Sequence, residues 1–250
     1  MLVDLLGCEM APVAISFADK PPKGARMFPE GKRGCVASML LSVSRTGIVA
    51  AFDEHTTGCP GGGIGLCFPD SFEKASRPMD RFLSTGKGGS ATPEHPGDPA
   101  EVGERFFANP AAARRWMDGL PRVDTGKPYI VFRRLDQVPK GGGEPPDLVC
   151  LFANPDQLSA LVVMSGFARG TALNAVAPFG AACQSILYAA AEADKDEPRA
   201  IIGFMDIAQR HLIPRDLLTF TVPFAMFCEM DAASPEGPFA TTAWHRIAGR

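Results

Sequence analysis

The chain has 250 residues, of which 46% are hydrophobic, and its formal net charge is −3. This length and composition suit one domain with a sizeable core, and the nearly balanced charge disfavours nucleic acid as the main partner. No apolar run reaches the ~18–20 residues that cross a bilayer, so we expect a cytoplasmic protein without a membrane span. The seven cysteines are odd in number and no export signal is visible, which favours reduced thiols over disulfides.

The amino-terminal half is predicted to alternate between helices and strands. Apolar residues recur at helical spacing after Cys35, and Gly47 follows at a position where many helices end. A short apolar run then has the length of a buried strand and ends at Asp53. A polar loop, which contains His95, follows further along the chain. We predict helices at the start of the chain and at residues 35–44 and 71–83, strands at 12–17 and 48–52, and a loop at 84–103.

The carboxy-terminal half continues this alternation. The tetrapeptide "FANP" occurs at Phe107–Pro110 and at Phe152–Pro155. In each copy, Asn is a good helix cap and Pro is a good first helical residue, so a helix should follow. We also predict helices at residues 183–194, after Pro223 and near residue 245, and strands at 129–132, 148–152, 200–206 and 217–222.

Two segments have the same order of features: a cysteine, an apolar helix, a turn, an apolar strand and an aspartate. One runs from Cys35 to Asp53, and the other runs from Cys183 to Asp206. This similarity predicts an α/β or α+β fold with a mixed sheet and helices, built from two pseudo-repeated αβ halves in one compact unit. We expect a single domain over residues 1–250, with residues 1–125 and 126–250 as the two halves.

The segment "GCPGGGIGLC" (Gly58–Cys67) combines two cysteines with five glycines. Its spacing matches neither the dinucleotide fingerprint nor the phosphate-binding loop. Such a segment loses much backbone entropy on folding, so we expect a close approach of its backbone to a ligand, or a tight turn with several positive φ angles. The residues predicted to bind a cofactor through this loop are Gly61, Gly62, Gly63 and Gly65.

Three cysteines are candidates for metal ligands. Cys35 and Cys183 each open a predicted helix, where unpaired N–H groups and the helix dipole stabilise a thiolate. Cys59 lies in the glycine segment, whose amides can face an anion or a cluster sulfur. If the two halves pack face to face, the three thiols converge on an iron–sulfur cluster, or on zinc with His55 as a partner. Alternatively, Cys35 and Cys183 are small buried helix residues and Cys59 fills a turn.

Arg210 follows the predicted strand that ends at Asp206. Its guanidinium can hold an anionic ligand in a bidentate manner, or it can pair with Asp206 four residues earlier.

Three functions therefore stay open. The first is a cytoplasmic iron–sulfur or metal-binding protein with a cysteine-lined site and redox activity. The second is a metal-free module that binds a small molecule through the glycine segment and Arg210. The third is a thiol-dependent enzyme with Cys35 or Cys183 as the nucleophile. The partner, either a small molecule or a redox protein, and a homo-oligomeric state are left open by the sequence.

The combination of motifs resembles the ArCR-type family, a group of domains of unknown function common in anaerobic bacteria and archaea. The resemblance covers nearly the whole chain, in order, from about residue 12 to the end. The segments that carry it are "GCVASML", "GIVAAFD", "GCPGGGIGL", "GERFFANP", "PFGAACQSI", "PRAIIGFMDIAQR", "LLTFTVPFAMF" and "TTAWHRI".

The resemblance implies that the cysteines at Cys35, Cys59 and Cys183 belong to the family pattern, and that Arg210 matches a family arginine. The chain differs from that pattern at Cys67, where members usually have glycine; Ala182 and the "DIAQR" run also differ. Cys67 is therefore a doubtful ligand in the family at large, although it can supply a fourth thiolate here. The resemblance implies no reaction, and the link with anaerobes fits an oxygen-sensitive cluster.

Overall fold

The computed structural model describes residues 1–86, 102–139 and 143–248, so the predicted loop residue His95 lies outside the described residues. At the centre of the fold is one sheet of seven strands. The strands are β1 (Val13–Ala18), β2 (Ala50–Phe52), β3 (Tyr129–Arg134), β4 (Leu148–Ala153), β5 (Ala175–Val176), β6 (Ala200–Gly203) and β7 (Leu218–Pro223). Their order across the sheet is β2-β3-β1-β4-β7-β6-β5, and among these strands of the described residues only the β5–β6 pair is parallel.

Nine α-helices cover this sheet in the part of the chain that the structure describes. They are α1 (Leu2–Leu6), α2 (Val36–Thr46), α3 (Pro60–Gly65), α4 (Met79–Phe82), α5 (Pro110–Asp118), α6 (Pro155–Phe167), α7 (Ser185–Ala190), α8 (Phe224–Ala233) and α9 (Thr242–His245). The mixed α/β fold predicted from the sequence is confirmed. Among the described residues, no helix is both long and apolar enough to cross a membrane.

The continuous apolar run of β4 is explained by helices on both faces of the sheet. Leu148, Cys150 and Phe152 point into one core, which also contains residues of α2, α3, α5 and α7. Val149 and Leu151 point into the other core, which contains residues of α1, α6 and α8. Side chains alternate between the two faces of a strand, so a strand covered on both sides must be apolar at every position. The fold therefore has three layers.

The strand order has a mirrored arrangement about the antiparallel pair of β1 and β4. The order β2-β3-β1 on one side corresponds to β6-β7-β4 on the other. In the same sense, α2 precedes β2 and α7 precedes β6, and both helices pack into the same core. Internal duplication stays a prediction. Because β3 pairs with β1 and β2, a boundary at residues 125 and 126 does not divide the sheet between its two sides.

The predicted glycine loop is wrong as a description of the backbone, because Pro60–Gly65 form helix α3. Cys59 caps this helix and Pro60 is its first residue, which is the same type of helix start as Asn-Pro. Of the five glycines in the segment, only Gly58 has a positive φ, at 77°. A Cβ there would also lie 2.6 Å from the carbonyl oxygen of Gly34, so this is where the turn needs glycine.

Two other predictions differ from the structure. Residues 71–83 were expected to be helical, but within this range only Met79–Phe82 form an α-helix, and Pro78 caps it. The two-residue strand β5 was not predicted, since so short an apolar segment has no recognisable period. The Asn-Pro helix starts are confirmed, because Asn109 and Asn154 each accept a backbone N–H bond as caps of α5 and α6.

Candidate functional site

A cavity of about 380 Å³ lies at the start of α2, α3 and the 3₁₀ turn that leads into α7. Its volume lies within the ~300–1,000 Å³ typical of small-molecule sites. Cys35, Cys59 and Cys183 all line it. The fold therefore brings the three cysteines predicted from their positions, which come from three separate segments, to one cavity.

Cys35 is the cap of α2 and lies on extended backbone. Its Sγ accepts a hydrogen bond from the backbone N–H of Ser38 at 3.5 Å. The thiol in turn donates to Oε1 of Gln209, also at 3.5 Å. The side chain is thus held by its own helix on one side and by the segment after β6 on the other.

Cys59 is the cap of α3, and its Sγ accepts the backbone N–H of Gly62 at 3.1 Å. Among the three cysteines that line the cavity it is the most exposed, because the cavity opens beside it. The surrounding protein raises the pKa of this thiol to about 11, and the hydrogen bond from Gly62 opposes that rise. Since solvent reaches Cys59 through the cavity, the size of this effect depends on what fills the cavity.

Cys183 is buried in the short turn just before α7. Its thiol donates to the carbonyl oxygen of Gly61 at 3.5 Å. Burial raises its pKa well above the ordinary value, and the nearby Cys59 and Cys35 act in the same direction. Without a bound cation, Cys183 is therefore a protonated thiol at neutral pH.

The glycines of α3 have different roles. The amides of Gly61 and Gly62 lie at the sulfur of Cys59, which caps the helix. The amide of Gly63 is used within the helix, where it donates to the carbonyl oxygen of Cys59 at 2.9 Å. Gly65 packs directly against Cys183, since a Cβ on it would lie 2.9 Å from the Cys183 Sγ.

Two carboxyl groups also line the cavity, those of Glu104 and Asp206. Burial raises the pKa of Glu104 to about 7, and the neighbouring Asp206 adds to the rise. Burial also raises the pKa of Asp206, although backbone N–H groups, including that of Ala182, bind its carboxylate. Asp206 was visible in the sequence at the end of a predicted strand. Glu104 was missed, because it follows a polar loop with no motif or period around it.

Two further residues predicted from the sequence, Arg210 and His55, do not line the thiol cavity. Arg210 donates to backbone carbonyl oxygens, those of Phe204 at 3.3 Å and Leu217 at 2.7 Å among them, and does not line the cavity. It thus ties the loop after β6 to the start of β7. His55 is exposed and lies 3.6 Å from a carboxylate oxygen of Glu54, away from the three thiols.

Cys67 borders a separate, smaller cavity of about 80 Å³ and does not line the thiol cavity. It therefore does not join Cys35, Cys59 and Cys183 as a fourth cavity thiol. Its φ of 63° lies in the left-handed region that favours glycine. That backbone angle gives a physical reason for the glycine that the family resemblance implies at this position.

The three thiols line one cavity, but their sulfur atoms are not already grouped around a single metal position. Among the described residues, no three His, Cys, Asp or Glu side chains stand together in an arrangement ready to hold a metal ion. All seven cysteines are free thiols. The chemistry on offer is that of three soft sulfur donors, two carboxyl groups and the amides of Gly61 and Gly62.

We expect Glu104→Gln to stabilise the metal-free protein at pH 8 by about 3 kcal/mol and to change little at pH 4. The pKa of Glu104 in the folded protein is about 7, above the ordinary glutamate value of 4.5, so its ionisation opposes folding increasingly as pH rises between these values. Urea denaturation at both pH values measures the difference, with the exposed Glu236→Gln as the control. An equal effect of Glu104→Gln at both pH values would contradict this assignment.

Comparison with known proteins identifies the family. The model of the family described as "DUF169: Uncharacterised ArCR" matches residues 1–232. No curated protein and no solved structure matches the chain. The resemblance drawn from the sequence motifs is therefore confirmed at the level of the family. The chain belongs to the uncharacterised ArCR family, a domain of unknown function.

Proposed function

We propose that the cavity binds a metal centre through the thiolates of Cys35, Cys59 and Cys183. An iron–sulfur cluster is the first candidate, and zinc is the alternative. The observation that carries this proposal is that three free thiols from separate segments line one cavity, each at the start of a helical segment. Capping accounts for the position of Cys35 and of Cys59 in their own helices, but it does not require the two thiols to face one cavity together with Cys183.

The electrostatics favour a soft cation in this space. Each thiolate that forms disfavours the next, which is why Cys59 and Cys35 raise the pKa of Cys183. A bound cation reverses that effect, because metal ligands are deprotonated and their protons are released on binding. Thiolate ligands also select zinc and iron–sulfur clusters over hard cations such as magnesium.

The residues around the sulfurs would set the properties of such a centre. The amide of Gly62 already donates to the Cys59 sulfur, and that of Ser38 donates to the Cys35 sulfur. Hydrogen bonds to ligand sulfurs tune the reduction potential of a cluster. A cluster supplies one-electron transfer, and an iron without a protein thiolate can also act as a Lewis acid. Glu104 and Asp206 are the carboxyl groups that line the same cavity and could supply an oxygen ligand.

A cytoplasmic location belongs to this proposal. A reducing compartment keeps cysteines as thiols, and the chain has seven of them, all free. A redox protein or a small molecule would then exchange electrons or react at the cavity.

The experiment is anaerobic purification followed by visible absorbance and by analysis of iron, sulfide and zinc. Broad visible absorbance with iron and sulfide in similar amounts is the expected result. Zinc without sulfide would select the alternative centre. A colourless protein that takes up neither metal after anaerobic reconstitution would rule out the proposal.

A metal-free binding module is the second candidate, and one observation favours it. Much of the cavity is lined by apolar and aromatic side chains, which metal binding does not require. This alternative predicts that serine at all three cysteines leaves the fold and the affinity for an organic ligand nearly intact.

The thiol-enzyme alternative is less well supported by the electrostatics. A nucleophilic cysteine needs a lowered pKa, whereas burial raises the pKa of Cys183, one of the two candidate nucleophiles. It would be supported if one cysteine were alkylated much faster than the others near neutral pH.

A further inference from the structure

Part of the cavity wall is aromatic, in a way that a metal centre does not explain. The rings of Phe82 and Phe106 line it together with those of Trp116 and Phe179. Phe106 meets Phe179 edge to face at 5.3 Å, and Trp116 lies 5.7 Å from Phe179. Aromatic rings packed in this way form a rigid apolar surface, which suits the flat face of an unsaturated molecule.

The positively charged side chain of Arg77 lies beside these aromatic residues. The Arg77 guanidinium lies 5.0 Å from the ring centroid of Phe82, and both residues line the cavity. Among the residues that the structure describes, no carboxylate forms an ion pair with Arg77. A guanidinium held over a ring keeps its N–H groups available for a carboxylate, which it binds in a bidentate manner.

A second donor that lacks a partner borders the same cavity. Gln184 is 1% exposed, and its Nε2 is buried without a hydrogen-bond partner. Its Oε1 is used, because it accepts the backbone N–H of Ala181 at 3.0 Å. A buried donor without an acceptor costs free energy, and the Gln184 side chain would have to turn toward the cavity before a ligand oxygen could accept from Nε2.

We propose that the cavity takes a planar, unsaturated organic carboxylate as its substrate or ligand. The aromatic wall holds its flat body, Arg77 supplies N–H donors for its carboxylate oxygens, and the three cysteines face it across the same cavity. The inference rests on the proposed function, because it names the substrate class of that site. Binding itself requires no metal.

The test compares benzoate with cyclohexanecarboxylate, which has the same charge and a similar size but no flat face. Titration calorimetry on metal-free and metal-loaded protein is expected to give saturable binding of benzoate with a Kd on the order of 1 mM. Cyclohexanecarboxylate is expected to bind about fivefold more weakly, because it loses the ring contacts. Fluorescence of Trp116 in a Trp244→Phe background should report the same Kd, since Trp116 lines the cavity and Trp244 packs in the other core.

Variants locate the binding. Arg77→Gln is expected to weaken benzoate about tenfold through the loss of a charged hydrogen-bonding partner. Arg81→Gln is the matched control, because Arg81 is exposed, lies nearby in the chain and does not line the cavity. Phe106→Leu is expected to reduce the preference for benzoate over cyclohexanecarboxylate while the protein stays folded.

Equal affinity for the two acids, equal effects of Arg77→Gln and Arg81→Gln, or no saturable binding of benzoate would each overturn the inference. These outcomes are separate from those of the proposed function. A protein that holds iron or zinc but does not bind benzoate keeps its metal centre and loses this substrate class. A protein that binds benzoate but takes up no metal keeps this substrate class and loses the metal centre.

Discussion

Cys59→Ser is expected to reduce the affinity for the metal centre at least about a hundredfold. Serine preserves the shape of the side chain but removes the soft thiolate, which leaves only two of the three proposed sulfur ligands. Cys59 is the best of the three positions to change, because it faces the cavity and is the most exposed of them. The measurement is iron, sulfide and zinc per chain after anaerobic reconstitution, together with the visible spectrum.

The matched control is Cys228→Ser, which changes an exposed cysteine on α8, away from the cavity. It should retain the full metal content and spectrum of the unmodified protein. Thermal unfolding of both metal-free variants should be similar, which separates loss of a ligand from loss of the fold. Equal metal content in the two variants would show that Cys59 is not a ligand.

Gly65→Ala is expected to destabilise the protein by about 3 kcal/mol. An added Cβ would lie 2.9 Å from the carbonyl carbon, the carbonyl oxygen and the Sγ of Cys183. The backbone of the turn before α7 cannot move away without disturbing the buried residues around it. We therefore expect a lower midpoint in urea denaturation and, because Cys183 is displaced, weaker metal binding as well.

Gly61→Ala is the control within the same helix. The nearest atom to an added Cβ would be the Cβ of Ala181 at 3.5 Å, an ordinary contact. Alanine also has a higher helix propensity than glycine, so this variant is expected to be neutral or stabilised by up to ~1 kcal/mol. If Gly65→Ala unfolded at the same urea concentration as Gly61→Ala, the close packing of α3 against Cys183 would not be what requires glycine.

Local signals in the sequence were sufficient for most elements and for the position of each cysteine. Helix starts are decided within a few residues, by a capping atom and a following proline, which is why both Asn-Pro starts are confirmed. The same signal was present at Cys59 and Pro60, but the glycines that follow are poor helix formers and concealed it. Contacts of α3 with the turn at Cys183 override that weak propensity.

What the amino-acid sequence determined was the mixed α/β class, the strands and most of the helices, and the three cysteines as candidates. Only the tertiary structure decided that these cysteines share a cavity, that Glu104 joins them and that Arg210 instead binds backbone carbonyls. The physical reason is the distance along the chain over which each kind of interaction acts. Caps and hydrophobic periods act over a few neighbours, whereas the cavity depends on the mirrored pairing of strands about β1 and β4, which places the starts of α2 and α7 against the same core.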